Sequence, residues 1–164
     1  MKIKLLRATI DDAKELHTMQ VEAFKELLEK YQDFDTSPAN ENIEEVEKRL
    51  KQDFTFYYFI CIGQQKVGAI RIVDKKEVGK NKRISPIFIL PEFRNRGIAQ
   101  EAIRLCEKVH GNENWELATI LQEARNCHLY EKMGYQQTGK TKVINERLTL
   151  VFYQKLDNNT YISI

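Results

Sequence analysis

The chain has 164 residues, of which 42% are hydrophobic and 30% are charged; these values are typical of one globular domain and exclude an intrinsically disordered chain. The formal net charge is +2, with lysine and arginine spread along the chain, so charge gives no case for a nucleic-acid partner. No apolar run approaches the roughly 20 residues that span a bilayer, and we expect an unprocessed cytoplasmic protein with no membrane partner.

The first part of the chain predicts one strand and two helices. Residues 2–7 alternate as a short strand, and residues 9–12 have the form of a capping box that opens a helix. An apolar stripe at helical spacing carries that helix to about Lys30. After a polar loop, Ser37 and Pro38 supply a cap and a first-turn proline for the second helix.

The rest of the chain predicts a hairpin, further strands and two more helices. Aromatic and β-branched runs indicate the strands, and glycines close both helices. The predicted strands are 56–62, 66–73, 84–90, 115–121, 135–137 and 147–155, and the predicted helices are 97–110 and 124–133. We therefore predict one α+β domain over residues 1–156, with helices on a mostly antiparallel sheet, and a tail over residues 157–164.

The cysteines do not point to a disulfide or a metal site. Cys61, Cys106 and Cys127 each lie in an apolar or helical segment, and none belongs to a C-x-x-C pair. This favours a reducing compartment and buried apolar roles, with a nucleophilic Cys127 as the alternative. No His or Cys cluster has ligand spacing, so we predict no metal.

The most informative segment is residues 87–99, where a strand runs through a tight turn into a helix. The first amides of a helix lack internal partners and lie at the positive end of its dipole, so the backbone of residues 95–100 can hold a diphosphate. Gly97 allows an anion to approach closely, and Arg94 and Arg96 add charge. A helix start with exposed arginines is the alternative. The Rossmann and Walker phosphate-loop patterns are incomplete here.

This segment, IFILPEFRNRGIA, resembles the acetyl-CoA loop of the GNAT acetyltransferases, which has the form R/Q-x-x-G-x-G/A after a strand; Arg94, Gly97 and Ala99 match it. A second segment, LYEKMGY at 129–135, resembles the family's L-Y-E-K-L-G-F. The predicted element order also agrees with the GNAT fold, in which helices flank both faces of a mixed, mostly antiparallel sheet. The resemblance covers nearly the whole chain apart from the tail.

The resemblance implies an N-acetyltransferase that moves an acetyl group from acetyl-CoA, its co-substrate, directly to a primary amine, as a monomer or a homodimer. The backbone of residues 88–90 would pair with the pantetheine, and the amides of residues 95–100 would hold the pyrophosphate. Asn126 and Lys132 are candidates for further contacts to CoA, the lysine to a phosphate, with an exposed polar helix face as the alternative. The full implied set is Phe88, Ile89, Leu90, Arg94, Asn95, Arg96, Gly97, Ile98, Ala99, Gln100, Asn126 and Lys132.

The resemblance makes Tyr130 the general acid. A leaving thiolate benefits from a proton, and a phenol with a pKa of about 10 still carries one at neutral pH. A packed tyrosine is the alternative. Glu123 stands where many relatives carry Asn; it is a candidate base, directly or through water, with a solvated helix-start carboxylate as the alternative.

The acceptor is the least determined part of the prediction. Residues 31–47 contain six acidic side chains and no lysine or arginine, which favours a small cationic acceptor such as a polyamine or an amino sugar. Acidic residues at a helix start explain the same pattern. Two other functions stay open: acetylation of a peptide or protein amine, and a non-catalytic acyl-CoA-binding sensor.

Overall fold

The computed structural model describes residues 2–156, and the strands in this range form one open sheet. The strands are β1 (Ile3–Arg7), β2 (Thr55–Ile62), β3 (Gln65–Val73), β4 (Lys82–Ile89), β5 (Trp115–Ile120), β6 (Gln136–Val143) and β7 (Thr149–Lys155). Their order is β1-β2-β3-β4-β5-β7-β6. Only the β4–β5 pair among them is parallel. The predicted α+β class with a mixed, mostly antiparallel sheet is confirmed.

Helices cover both faces of the sheet, as expected. They are α1 (Ala13–Tyr31), α2 (Ile43–Leu50), α3 (Ile98–His110) and α4 (Ala124–Lys132). Side chains of α1 and α2 share one apolar core with Tyr57 and Phe59 of β2. Side chains of α3 and α4 share the other with Ile70 and Ile72 of β3. The predicted tail, residues 157–164, lies outside the described residues.

The helix starts show one correct prediction and one wrong one. The capping box before α1 is present, and the Thr9 amide donates to Asp12 Oδ2 at 2.8 Å. The second helix, however, is capped by Asn42, whose Oδ1 accepts from the Glu45 amide at 3.2 Å. Ser37 and Pro38 instead open a short 3-10 turn, because the backbone is extended again at Glu41.

The parallel strands β4 and β5 stay together for only a short distance. Their register pairs are Lys82 with Trp115 and Arg83 with Glu116. Beyond these pairs, the carboxyl-terminal parts of β4 and β5 do not pair with each other. Helix α3 follows β4, and α4 follows β5. Because the carboxyl ends of parallel strands lie at the same edge, both helices begin beside the gap between them.

Other expectations from the sequence concern the cysteines and membranes. Cys61, Cys106 and Cys127 are buried and unpaired, as their apolar settings predicted. None of the helices within residues 2–156 is long and apolar enough to cross a membrane. Strand β6 is longer than predicted, and its eight residues are all exposed at the sheet edge.

Candidate active site

The gap between β4 and β5 opens into a cavity of about 480 Å³. The end of β4, the turn into α3 and the first turn of α3 form one wall, and α4 forms the second. Helix α1 closes a third side with Ala23, Phe24, Glu26, Leu27 and Lys30. The predicted residues that line it are Phe88, Ile89, Arg94, Asn95, Gly97, Ile98, Ala99, Gln100, Glu123, Asn126 and Tyr130.

A row of free backbone amides lies along the first wall. The first intrahelical bond of α3 runs from the Glu101 amide to the Gly97 carbonyl at 3.1 Å. The six amides of residues 95–100 have no acceptor among residues 2–156. Free amides at a helix start, together with the positive end of the helix dipole, form a site for an anion. This wall can therefore hold a phosphate group.

Two left-handed residues shape the turn before α3. Asn95 has φ +65° and Gly97 has φ +78°, a region that only glycine enters without steric cost. A Cβ built on Gly97 would meet no atom within 4 Å, because it would project into open space at the cavity wall. The Asn95 side chain accepts a hydrogen bond from Arg125, which also lines the cavity. The turn thus presents its backbone to the cavity with a cation beside it.

Arg94 holds the turn against α1. Its Nε donates to the Ile89 carbonyl at 3.0 Å, and its Nη2 donates to the Ala23 carbonyl at 2.5 Å. Its Nη1 also lies 3.7 Å from a carboxylate oxygen of Glu26. The sequence assigned Arg94 to the cofactor, but the guanidinium donates to two backbone carbonyls. Its direct effect is to fix the wall that carries the free amides.

The backbone of β4 alternates between its two neighbours. The Leu90 amide donates to the Val67 carbonyl at 2.8 Å, and the Phe88 carbonyl oxygen would lie 2.2 Å from a Cβ built on Gly68. Phe88 and Leu90 thus direct their backbone groups at β3. Since strand residues alternate, Ile87 and Ile89 direct theirs at the gap. Of the predicted trio, only Ile89 presents its backbone to the cavity side.

Tyr130 lies in the second wall, on α4. Its ring packs 6.2 Å from the rings of Tyr135 and Tyr153, and the residue is 7% exposed. Its hydroxyl has no hydrogen-bond partner among residues 2–156, and Tyr130 lines the cavity. Burial, with a smaller effect from the Cys127 thiol, raises the pKa of Tyr130 to about 12. The phenol is therefore protonated at neutral pH.

Glu123, at the start of α4, joins α4 to α1. Its Oε2 accepts from Lys30 Nζ at 2.8 Å and from the Tyr31 hydroxyl. Burial alone would raise the pKa of the Glu123 carboxyl, but these two hydrogen bonds outweigh burial and hold it below its usual value. The Tyr31 carbonyl accepts from Asn145 Nδ2 at 3.0 Å, which adds the β6–β7 loop to the same cluster. Glu123 is thus an ionised, hydrogen-bonded carboxylate at the cavity.

Three predicted residues do not line the cavity. They are Leu90, Arg96 and Lys132. The Arg96 guanidinium donates to the Glu92 carbonyl at 3.2 Å and lies 5.5 Å from the centre of the Phe93 ring. Arg125 and Lys30 are the cations that line the cavity and that the sequence analysis did not single out. Among residues 2–156, no three His, Cys, Asp or Glu side chains are grouped so as to hold a metal ion.

A sequence model of the acetyltransferase (GNAT) family matches residues 21–135, which is more than half of the chain. Comparison with curated protein sequences returns no significant match.

Similar solved structures share the fold at low sequence identity. The spermidine N-acetyltransferase from Vibrio cholerae in complex with CoA and spermine has a TM-score of 0.70 at 15% identity, over 93% of this chain and 95% of that one. The PaiA N-acetyltransferase from Thermoplasma acidophilum in complex with CoA has 0.65 at 14%, over 94% and 99%. RimL, a ribosomal L7/L12 alpha-N-protein acetyltransferase in complex with CoA, has 0.70 at 14%, over 95% and 94%.

Proposed function

Because this chain belongs to the GNAT family of acetyltransferases, we propose that it transfers an acetyl group from acetyl-CoA directly to a primary amine of a small acceptor. The observation that carries the proposal is the row of free amides at residues 95–100 along the cavity wall. Diphosphates bind such rows because each amide donates one hydrogen bond to an oxygen and the helix dipole adds favourable charge. Arg125 adds a cation at the same wall.

The remaining walls fit the rest of the acetyl-CoA molecule. The backbone groups of Ile87 and Ile89 that face the gap are free to pair with pantetheine amides, as an added strand would. Asn126 lines the opposite side, and its amide both donates and accepts hydrogen bonds. Lys30 and Glu123 supply a donor and an acceptor between these walls.

Tyr130 is the proposed proton donor to the leaving thiolate. The amine attacks the thioester carbonyl carbon, the C–S bond breaks, and the sulfur takes up the electron pair. A protonated phenol on a residue that lines the cavity can donate to that sulfur. Burial that raises the Tyr130 pKa also disfavours a bare thiolate in the same cavity.

The acceptor amine must lose a proton before it attacks, because an alkylamine with a pKa of about 10 is only about 0.1% neutral at pH 7. Glu123 is the proposed proton acceptor, through water. Among residues 2–156, two carboxylates line the cavity, and the Glu123 side chain is 24% exposed against 73% for Glu26. Glu123 is also ionised at neutral pH, since its pKa is lowered.

The acidic segment before α2 gives limited support to a cationic acceptor. The Asp33 carboxylate accepts from the Thr36 amide at 2.9 Å and from its hydroxyl, and Glu41 accepts from both terminal nitrogens of Arg49. Asp35 is exposed and remains available to a cation. A peptide or protein amine is the second candidate acceptor, since the shared fold also serves RimL. A sensor without turnover has no use for the Tyr130 hydroxyl.

The test is release of free CoA thiol from acetyl-CoA with a panel of amines: amino acids, polyamines, amino sugars and short peptides. Mass spectrometry of the acceptor identifies the acetylated nitrogen. We expect thiol release that depends on the amine and an acceptor heavier by one acetyl group. Tight acetyl-CoA binding without acetylation of any acceptor would favour the sensor, and no acetyl-CoA binding would refute the proposal.

A further inference from the structure

Arg71 lies in the middle of β3 on the sheet face that α1 and α2 cover. Its neighbours in sequence, Ile70 and Ile72, belong to the core under α3, so alternation along the strand turns Arg71 to the opposite face. Its cross-strand partner is Tyr57, which belongs to the core under α1 and α2. A guanidinium is thus set among apolar side chains.

Most of the hydrogen-bonding capacity of this guanidinium is unused. Arg71 Nε donates to the Ser85 carbonyl at 2.5 Å. Within residues 2–156 the two terminal nitrogens of Arg71 have no hydrogen bond or ion pair, and the residue is only partly buried. Arginine forks of this kind match the two oxygens of a carboxylate.

The charges around Arg71 favour an anion. Glu41 is the carboxylate with the largest electrostatic effect on Arg71, and it already accepts hydrogen bonds from Arg49 Nη1 at 2.7 Å and Nη2 at 2.6 Å. Arg83 is exposed and contributes a further positive charge. Burial, and then the charges of Arg49 and Arg83, lower the pKa of Arg71 to about 10. An anion beside Arg71 would relieve this repulsion.

The free guanidinium lies close to the cavity along β3. Arg71 is two residues after Ala69, which pairs with Phe88 of β4 and shares its core under α1 and α2, and Phe88 lines the cavity. Two residues of extended strand span about 7 Å. A small molecule therefore reaches from the Arg71 fork to the edge of the cavity.

We propose that Arg71, with Arg83 beside it, binds the carboxylate of the acceptor, so that the acceptor is an amine that also carries a carboxylate, such as an amino acid. This rests on the proposed function and names its substrate class. The amine end is a cation, so a role for Asp35 at that end is compatible with it. A polyamine, which has no carboxylate, is excluded as the preferred acceptor.

Binding of reaction products tests the site without turnover. N-acetylglycine, N-acetyl-L-alanine and N-acetyl-L-glutamate, and the carboxamide made from the α-carboxyl group of each, are titrated by calorimetry into the protein saturated with CoA. We expect at least one carboxylate to bind more tightly than its matched carboxamide. We expect Arg71→Gln to weaken the binding of that carboxylate by about tenfold to hundredfold, the range for losing charge-assisted hydrogen bonds. The binding of its carboxamide should be unchanged.

Three further variants keep the test falsifiable. Arg71→Lys keeps the charge and removes the fork, so it should lose part of the affinity even where Arg71→Gln does not fold. Arg83→Gln should weaken the binding of the carboxylate less than Arg71→Gln does. Arg104→Gln is the matched control, since Arg104 is 58% exposed on α3 and pairs with Glu101.

Equal binding of every carboxylate and its carboxamide, or an Arg71→Gln effect no larger than that of Arg104→Gln, would overturn the carboxylate site. The proposed function fails separately: carboxylate-selective binding that depends on Arg71, with no acetyl transfer to any amine of the panel, would keep the site and refute the acetyltransferase activity. Acetyl transfer to polyamines in preference to amino acids would overturn the substrate class and keep the activity.

Discussion

Replacing Gly97 by alanine tests the proposed diphosphate wall with one methyl group. Gly97 has φ +78° at the start of α3, and a left-handed alanine costs about 1–2 kcal/mol. The new Cβ meets no protein atom within 4 Å, so the methyl group takes up open space at the cavity wall that carries the free amides. We expect lower stability without ligand and weaker binding of acetyl-CoA.

The magnitude follows from linkage. A ligand at about 100 times its Kd stabilises the native state by about 2.7 kcal/mol. If the methyl group weakens acetyl-CoA binding tenfold, the stabilisation by acetyl-CoA at the same concentration falls to about 1.4 kcal/mol. Urea unfolding with and without acetyl-CoA measures both values, and calorimetry gives the Kd directly.

Gly63→Ala is the matched control. Gly63 has φ +59° in the β2–β3 turn, and its Cβ would also meet no atom within 4 Å. The variant has the same kind of backbone strain, but residue 63 does not line the cavity. Acetyl-CoA should therefore stabilise Gly63→Ala as much as it stabilises the wild type. If acetyl-CoA also stabilises Gly97→Ala as much, the amides of residues 95–100 do not hold the diphosphate.

Two more predictions concern contacts at the cavity wall. Arg94→Lys should lower the free energy of unfolding by about 1.5–3 kcal/mol, because it removes charge-assisted hydrogen bonds to two carbonyls. Arg96→Lys changes an exposed residue and should alter the free energy of unfolding by no more than about 0.5 kcal/mol. Equal urea midpoints for the two variants would contradict the structural role of Arg94. The lowered Glu123 pKa means that its hydrogen bonds to Lys30 and Tyr31 add stability above the unfolded pKa of about 4.3, and that this stability is lost as pH falls through the folded pKa. The stability difference between wild type and Glu123→Gln should therefore be largest at neutral pH and shrink in acid, and a difference that does not depend on pH would contradict this account.

Local patterns in the sequence were sufficient for much of the fold and for one wall of the site. A strand that ends at a proline, a glycine and a following apolar helix stripe are all neighbours in the chain, so residues 84–110 reveal the wall directly. The capping box at Thr9 is local as well. The cap of α2 was misplaced because Ser37 and Asn42 are both good caps, and only the path of the chain decides between them.

The other walls depend on contacts between distant residues. Lys30 and Tyr31 meet Glu123 from 93 and 92 residues away, and no periodicity encodes that pairing. Arg94 matched a cofactor motif, yet its donors go to Ile89 and to Ala23, which is 71 residues away. Arg125 carries no local signal beyond its position in the first turn of α4. Side-chain partners of this kind follow from the packing of α1 against the sheet.

The most direct test of the proposed chemistry is single-turnover acetyl transfer by Tyr130→Phe. The change removes one hydroxyl and keeps the ring that packs against Tyr135 and Tyr153. General acids contribute about 100- to 10,000-fold, and we expect the lower end, about 100-fold, because water replaces part of the proton donation. Binding of acetyl-CoA, measured by titration, should be unchanged, and the defect should shrink with an acyl donor whose thiol is more acidic.

Tyr153→Phe is the control for this measurement. Its hydroxyl lies 2.6 Å from Glu131 Oε2 and does not line the cavity, so the variant removes a neighbouring hydroxyl without reaching the site. The account predicts that Tyr153→Phe transfers acetyl at nearly the wild-type rate and that Tyr130→Phe is about 100-fold slower. Equal rates for Tyr130→Phe and wild type would show that Tyr130 only packs, and would contradict its role as the proton donor.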